Sequence, residues 1–299
     1  VFRGVLKSFL IGLVCLGIIC STVSAVPNKW IPNPPQRRFK EVVRFQKFKT
    51  IDGITTETDG RFESTVVFDI DDDLPRVTFT LINTGVTTDG KLVPKGLDLL
   101  MLNRPIAAEI DSNDQLTMIR GYAGLQQEAK NQFPPERYKD MAAQLSAEAL
   151  SNKLSSDWNS RQFLLKNRSL EPGTFWEATR NILLTPESNP VAYSVFWIEP
   201  TDNPKSIILW AIESTHFNVV GDLIQTKCPN YRKSEIFFDS GTPDSNSWTQ
   251  QIRYRIERST NLVLEEKGYR VVEIADPTAA VNQVLRFVDR RDRRLIEEP

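Results

Sequence analysis

One histidine, His216, occurs in 299 residues. A single imidazole excludes His₂ and His₃ zinc sites and the HExxH motif. His216 follows Glu213-Ser214-Thr215 at the end of an apolar run, so a Ser–His–acid arrangement is chemically open. No G-x-S-x-G elbow places a nucleophile, and a strand-end histidine is the simpler reading. Cys228 lies twelve residues beyond His216 with no signature around either, and a buried thiol is the simpler reading there too. Asp69, Asp71, Asp72 and Asp73 form an acidic cluster, and Asp111, Asn113 and Asp114 a second. Carboxylates at such density are weak calcium candidates, but the EF-hand spacing is absent and a charged hairpin turn accounts for both. Nothing singles out one pair among 38 acids, so a carboxylate hydrolase stays an alternative without named residues.

Aromatic residues carry the stronger signal. Tyr193, Trp197, Trp210, Trp248 and Tyr254 fall in segments of strand character. Such residues usually build a core. On a concave sheet the same five would line an apolar groove for a hydrophobic, lipid-like ligand. Arg290, Arg291, Arg293 and Arg294 interleave with Asp289 and Asp292 near the end of the sequence. They read as an ion-paired helix face, or as a contact for anionic headgroups or a partner. The formal net charge of −1 offers no excess of cations for a nucleic-acid backbone. No cofactor is required by any of these readings.

The elements that must position these residues begin after residue 25. Arg3 and Lys7, the apolar run Phe9–Cys20 and the small residues Ser21–Ala25 have the form of a secretory signal peptide cleaved after Ala25. The apolar run is short for a membrane span, which needs about 20 residues. An exported chain, periplasmic or extracellular, with no membrane-spanning segment after cleavage is expected. Residues 26–40 hold four prolines and predict an extended, exposed arm. Strands are predicted over 42–51, 62–70 (after the turn pair Asp59-Gly60), 77–81, 106–110, 116–119, 175–184, 191–197, 207–212 and 248–256, then over 262–266 and 269–274 at hairpin spacing. Between about 121 and 158 the period changes. Tyr138, Met141 and Leu145, then Leu150, Leu154 and Trp158, mark one-face helices, with Ser146 as an N-cap. At the end, Asp276 as N-cap, Pro277, and Val281, Val284, Leu285 and Val288 predict a C-terminal helix.

Strands and helices do not alternate one for one, so a doubly wound parallel sheet is disfavoured. The expected fold is α+β: a large curved antiparallel sheet or partly open β-barrel, in one β-rich domain over 41–299, with the helical insert and the C-terminal helix packed on it.

Residues 105–176 run PIAAEIDSNDQLTMIRGYAGL, then a helical stretch with LSAEAL, then LEPGTFWEATRNILL. This order resembles a family of secreted bacterial domains of unknown function. In those a hairpin ends in a Gly-hydrophobic pair, a helical insert follows, and Pro-Gly-x-x-Trp enters a strand. The matching residues are Gly121, Pro172, Gly173 and Trp176. The resemblance implies no catalytic residues. The layout is also similar to the half-barrel lipoprotein carriers of bacterial envelopes, by analogy of fold alone. The expected function is non-enzymatic binding of a hydrophobic small molecule or an envelope partner. A secreted hydrolase using carboxylates or a serine with His216 is one alternative. An assembly protein docking through its Pro-rich arm is the other.

Overall fold

A computed structural model describes residues 36–299 apart from 52, 72–73, 89–90, 94–96, 164–167, 183–188, 228–245 and 276–283. The expected signal peptide, residues 26–35 of the arm, Cys228, Asp72, Asp73, Asp276, Pro277 and Val281 lie outside the described residues.

Two antiparallel meanders make the sheet. The first is β1 (Arg37–Ile51), β2 (Ile54–Asp71), β3 (Leu74–Thr88), the short β4 (Lys91–Val93), β5 (Pro105–Ile110) and β6 (Leu116–Arg120), with α1 (Leu97–Met101) before β5. Helices α2 (Leu125–Gln132), α3 (Pro135–Met141) and α4 (Ala147–Phe163) follow. The second meander is β7 (Phe175–Asn181), β8 (Val191–Glu199), β9 (Ser206–Ser214), β10 (Ser247–Glu257), β11 (Val263–Ala275) and β12 (Val284–Glu297), with α5 (Phe217–Lys227) after β9. Consecutive strands are neighbours, which keeps the connections short. The exceptions are β4, which pairs β3 off the main order so that β5 lies beside β3; β6 and β7, at opposite edges; and the centre, where the first strand pairs with the last, giving the order β6-β5-β3-β2-β1-β12-β11-β10-β9-β8-β7. The result is an open, curved, 12-stranded antiparallel sheet with few helices, which the α+β description fits only loosely.

Successive strand residues point to opposite faces, so each strand splits its side chains between two surfaces. On the concave face Phe39, Val66, Phe68, Val77 and Leu295 pack against Trp158 of α4. On the convex face Val195, Trp197 and Ile212 pack under Val220 and Ile224 of α5. Each fully buried side chain of this size contributes about 1.5–3 kcal/mol.

The helices joining β6 to β7 connect opposite edges of the sheet, so the chain has to cross a face. It crosses the concave one. Ser146 caps α4, accepting the Ala149 N–H at 3.0 Å, worth about 1 kcal/mol. Leu150 and Trp158 are buried along α4, as their spacing predicts. The Trp158 ring lies 6.4 Å from Phe68 and 6.3 Å from Phe79, and its Nε1–H donates to Asp114 O at 2.8 Å.

Four expectations are corrected. Val284, Leu285, Val288 and the arginines after them belong to strand β12, not to a C-terminal helix. Their helical spacing is overridden by pairing on both sides, with β1 and β11. Leu262–Glu266 and Tyr269–Ile274 are not two strands: β11 runs continuously through Lys267-Gly268. A Cβ on Gly268 would meet Gln251 O at 2.6 Å, so glycine allows a close approach there rather than a turn. Asp59-Gly60 likewise sits inside β2, where the Phe45 ring lies across Gly60; the turn before β2 holds Gly53. Arg37–Lys40, assigned to the exposed arm, start β1, with Arg37 and Phe39 buried.

Candidate functional site

The concave face carries a groove of about 1070 Å³ between β7–β12 and the flank of α4. It continues into a second hollow of about 630 Å³ towards β1–β3. Asp157, Gln250, Ile252, Glu266, Arg270 and Arg291 line both.

Strand register builds its floor in cross-strand rows. One row is polar: Ser194 faces Glu213, Glu213 faces Gln250, Gln250 faces Arg270, Arg270 faces Asp289, and Asp289 faces Lys47. The next is largely apolar: Trp176, Phe196, Ala211, Ile252, Gly268, Arg291 and Phe45. Trp176 stacks on Phe196 with centroids 5.4 Å apart. Phe45 stacks on Phe62 at 5.3 Å. At the β7 end two guanidinium groups lie over rings, Arg168 over Trp176 at 5.6 Å and Arg180 over Trp248 at 5.3 Å.

The carboxylate of Glu213 is only 5% exposed. It accepts hydrogen bonds from Ser194 Oγ at 2.7 Å, Gln250 Nε2 at 2.9 Å and Arg180 Nη2 at 3.0 Å. A buried carboxylate needs such donors. With three of them Glu213 anchors the floor. Across the groove Arg270 pairs with Asp289, and Arg291 Nε lies 3.7 Å from Glu266 Oε1. The floor therefore alternates apolar rings with mutually neutralised charges. It can hold a long molecule having both an apolar body and polar groups, and it can pair an anionic group with the arginines at the β7 end.

The five aromatics singled out by sequence do not share this floor. Trp248 and Tyr254 line the groove. Tyr193, Trp197 and Trp210 sit on the opposite face with α5. There the Trp210 Nε1–H donates to Glu199 Oε2 at 2.8 Å, and Arg253 lies over its ring at 6.0 Å. Alternation along β8 sends Ser194 and Phe196, not Tyr193 and Trp197, to the concave side. Sequence reasoning missed Phe196, Ile252, Arg180 and the α4 flank, because cross-strand register is not written locally. Trp176 was singled out only for its motif: Gly173 turns the chain with φ 81°, and Trp176 lies in β7 three residues on.

The remaining residues are placed as follows. His216 donates its backbone N–H to Ser214 Oγ at 3.0 Å, and Ser214 Oγ also bonds Thr249 Oγ1 at 2.8 Å, so this serine hydroxyl holds a turn. Asp69 faces Arg76 and Asp71 faces Leu74 in the register of the β2–β3 hairpin. Arg291 and Arg293 point to the concave side, Arg290 and Arg294 to the convex one. Arg293 Nε donates to Glu41 Oε1 at 2.5 Å, Arg290 lies over Phe48 at 5.3 Å, and Arg294 bonds Asp292. Among the described residues no helix is long and apolar enough to cross a membrane.

No family model matches the chain, and no curated protein matches it. Among solved structures, a chain described as "Lipid-protein interactions in lipovitellin" is similar at 9% identity and a TM-score of 0.45, covering 88% of this chain and 25% of that one. This chain thus spans about a quarter of that chain's length, and at that score the likeness assigns it no ligand.

Proposed function

We propose that the concave groove is a binding site for an elongated amphipathic ligand, lipid-like in pairing an apolar chain with a polar or anionic group. The observation that carries the reading is the groove itself: roughly 1070 Å³ of space floored by Trp176, Phe196, Ile252 and Trp248, with guanidinium groups over two of those rings. Pockets for small molecules usually fall between about 300 and 1,000 Å³ and combine apolar lining with a few placed polar groups. A purely apolar ligand would leave the Gln250–Arg270–Asp289 row desolvated without new partners, which costs free energy. An amphipathic one meets both rows. With the export reading of residues 1–25, the ligand would be met outside the cytoplasm.

Residues 26–299 carry every described element and suit the test. Lysophosphatidylglycerol is titrated into the protein and the complex is followed by native mass spectrometry. A retained adduct is expected. Ile252→Glu puts an unpaired anion in the apolar row and should weaken retention at least about tenfold, the scale of one lost apolar side chain. Trp210→Phe, on the convex face, should not change it. Absence of any adduct with the parent chain, or equal retention by a folded Ile252→Glu variant, would overturn the reading.

A further inference from the structure

The convex side of the central strands holds a separate cleft of about 560 Å³. Its floor is backbone. Gly60 faces Phe45 and Phe45 faces Arg291, and strand parity sends the Phe45 and Arg291 side chains to the concave side. Two convex rows wall it. In one, Arg61 faces Arg44 and Arg44 faces Asp292. In the other, Asp59 faces Gln46 and Gln46 faces Arg290. The third wall is β4. A Cβ on Gly85 would meet the Val93 backbone at 2.7 Å, so glycine lets β4 cross the convex face there and bring Leu92 to the cleft.

These walls hold polar groups without partners. Arg44 and Arg61 are like charges directly opposed on neighbouring strands, an arrangement that weakens a sheet. Asp292 does not relieve it, because both its oxygens accept from Arg294. Arg61 is held by Glu63 through Nη2, and Arg290 lies over Phe48. Among the described residues neither Arg44 nor Arg290 forms an ion pair. Two wall atoms, Asp59 Oδ1 and Arg61 Nε, are closed to solvent and have no hydrogen-bond partner among the described residues. Buried polar atoms ordinarily have one. The acids nearby do not cancel the cations. Arg44, Arg61, Arg290, Arg294, Lys267 and Lys40 stand on these and the adjoining convex rows against Asp59, Asp292, Glu63 and Glu57, while Arg255 pairs with Glu265.

Arg44 and Arg290 are diagonal neighbours, about 7–8 Å apart at the backbone, so two long side chains can share one anionic group. A carboxylate accepts hydrogen bonds and a guanidinium donates them. A ligand that meets the whole cleft therefore needs an oxyanion for Arg44 and Arg290, a hydroxyl to donate to Asp59, and an acceptor for Arg61 Nε. A bare inorganic anion would satisfy the arginines and be repelled by Asp59. We propose that the convex cleft binds an acidic sugar, its carboxylate or phosphoryl group on Arg44 and Arg290 and its hydroxyls on Asp59 and Arg61. This site lies across the sheet from the groove and stands on different side chains.

The test is calorimetric titration of residues 26–299 with glucuronate, glucose-6-phosphate, glucose and inorganic phosphate. At least one of the two acidic sugars should bind, and the one that does identifies the anionic group. Glucose should give no heat. Inorganic phosphate should bind at least about tenfold more weakly than the acidic sugar, the scale of one hydrogen bond to a charged group. Arg44→Gln and Arg290→Gln should each weaken the sugar about tenfold. Asp59→Asn should act in opposite directions, weakening the acidic sugar and tightening inorganic phosphate, because the hydroxyl loses its charged acceptor and the anion loses a repulsion. Arg38→Gln, on the same face beyond the cleft, should bind as the parent does. The proposal fails if neither acidic sugar binds, if glucose binds as tightly as they do, or if folded Arg44→Gln and Arg290→Gln variants both match the parent. Inorganic phosphate binding as tightly as the sugar would also overturn it, since Asp59 would then recognise nothing. Lysophosphatidylglycerol retention should be the same in all these variants, so the groove reading stands or falls on its own test.

Discussion

At the residue scale, Arg37 joins three strands through one guanidinium. Its Nε and Nη2 reach Glu297 at 2.8 and 3.1 Å, and its Nη1 and Nη2 reach Glu257 at 2.7 and 3.0 Å. It is 7% exposed and lies over Phe39. Its hydrogen bonds to Glu257 and then Glu297 hold it protonated beyond the usual arginine range. Burial pushes the Glu257 carboxyl up, but hydrogen bonds from Arg37 and Thr260 outweigh that and hold it below its ordinary value of 4.5. A carboxyl depressed in the folded state gives stability that is present above its unfolded pKa and lost as pH falls through its folded one. Arg37→Leu strands two carboxylates and should cost about 3 kcal/mol in chemical denaturation at neutral pH. Its stability should then fall less steeply than the parent's between about pH 5 and pH 3. Arg37→Lys should recover only part of the loss, since an ammonium cannot bind two carboxylates in a fork. None of this was legible beforehand: Arg37 reads as one charge in a Pro-rich, exposed stretch, and its partners lie more than 200 positions away. The parity of Trp248 and Tyr254 was legible. That Trp197 faces away from them was not, because alternation gives faces within a strand and not between strands.

At the scale of elements, β12 shows how charges make a central strand. Central strands are usually apolar on both faces, yet β12 carries Arg286, Asp289, Arg290, Arg291, Asp292, Arg293 and Arg294. Its neighbours neutralise several of them: Glu273 with Arg286, Arg270 with Asp289, Glu266 with Arg291, and Glu41 with Arg293. The helical reading failed because local spacing cannot see those partners. The strand and helix periods elsewhere succeeded where one face is buried, as in α4. That helix is fixed to the sheet through Trp158, which fills the space between Phe68 and Phe79 and closes one flank of the groove. Trp158→Ala should cost about 3–5 kcal/mol in denaturation. Weaker lysophosphatidylglycerol retention should accompany it at temperatures where the variant is still folded, because the α4 wall carrying Asp157 and Asn159 loses its anchor.

For the whole molecule, the decisive contact is the ladder between β1 and β12, which runs from Phe39–Glu297 to Thr50–Arg286. The β5–β6 hairpin could be anticipated from the polar turn at 111–114, which joins strands that are neighbours in sequence and in the sheet. The meeting of first and last strands could not, since nothing near either strand encodes a partner at the other end of the chain. Its consequence is cooperative. The β1–β6 and β7–β12 halves share this ladder, the Arg37 fork to Glu257, and α4 laid across the concave face. Opening the centre breaks backbone hydrogen bonds, buried ion pairs and the apolar cluster around Phe39 and Leu295 together, whereas fraying at β6 or β7 breaks only an edge. Amide hydrogen exchange separates these events, because local openings need far less free energy than the global transition of about 5–15 kcal/mol. The slowest amides should lie in β1, β12 and β11, exchanging with one common free energy that Arg37→Leu lowers across both halves. Those of β6 and β7 should exchange much faster and be indifferent to that substitution. If the halves instead showed separate slowest free energies, with Arg37→Leu affecting only one, the central ladder would be a docking contact between two independent sheets. The groove that spans them would then open and close with that contact.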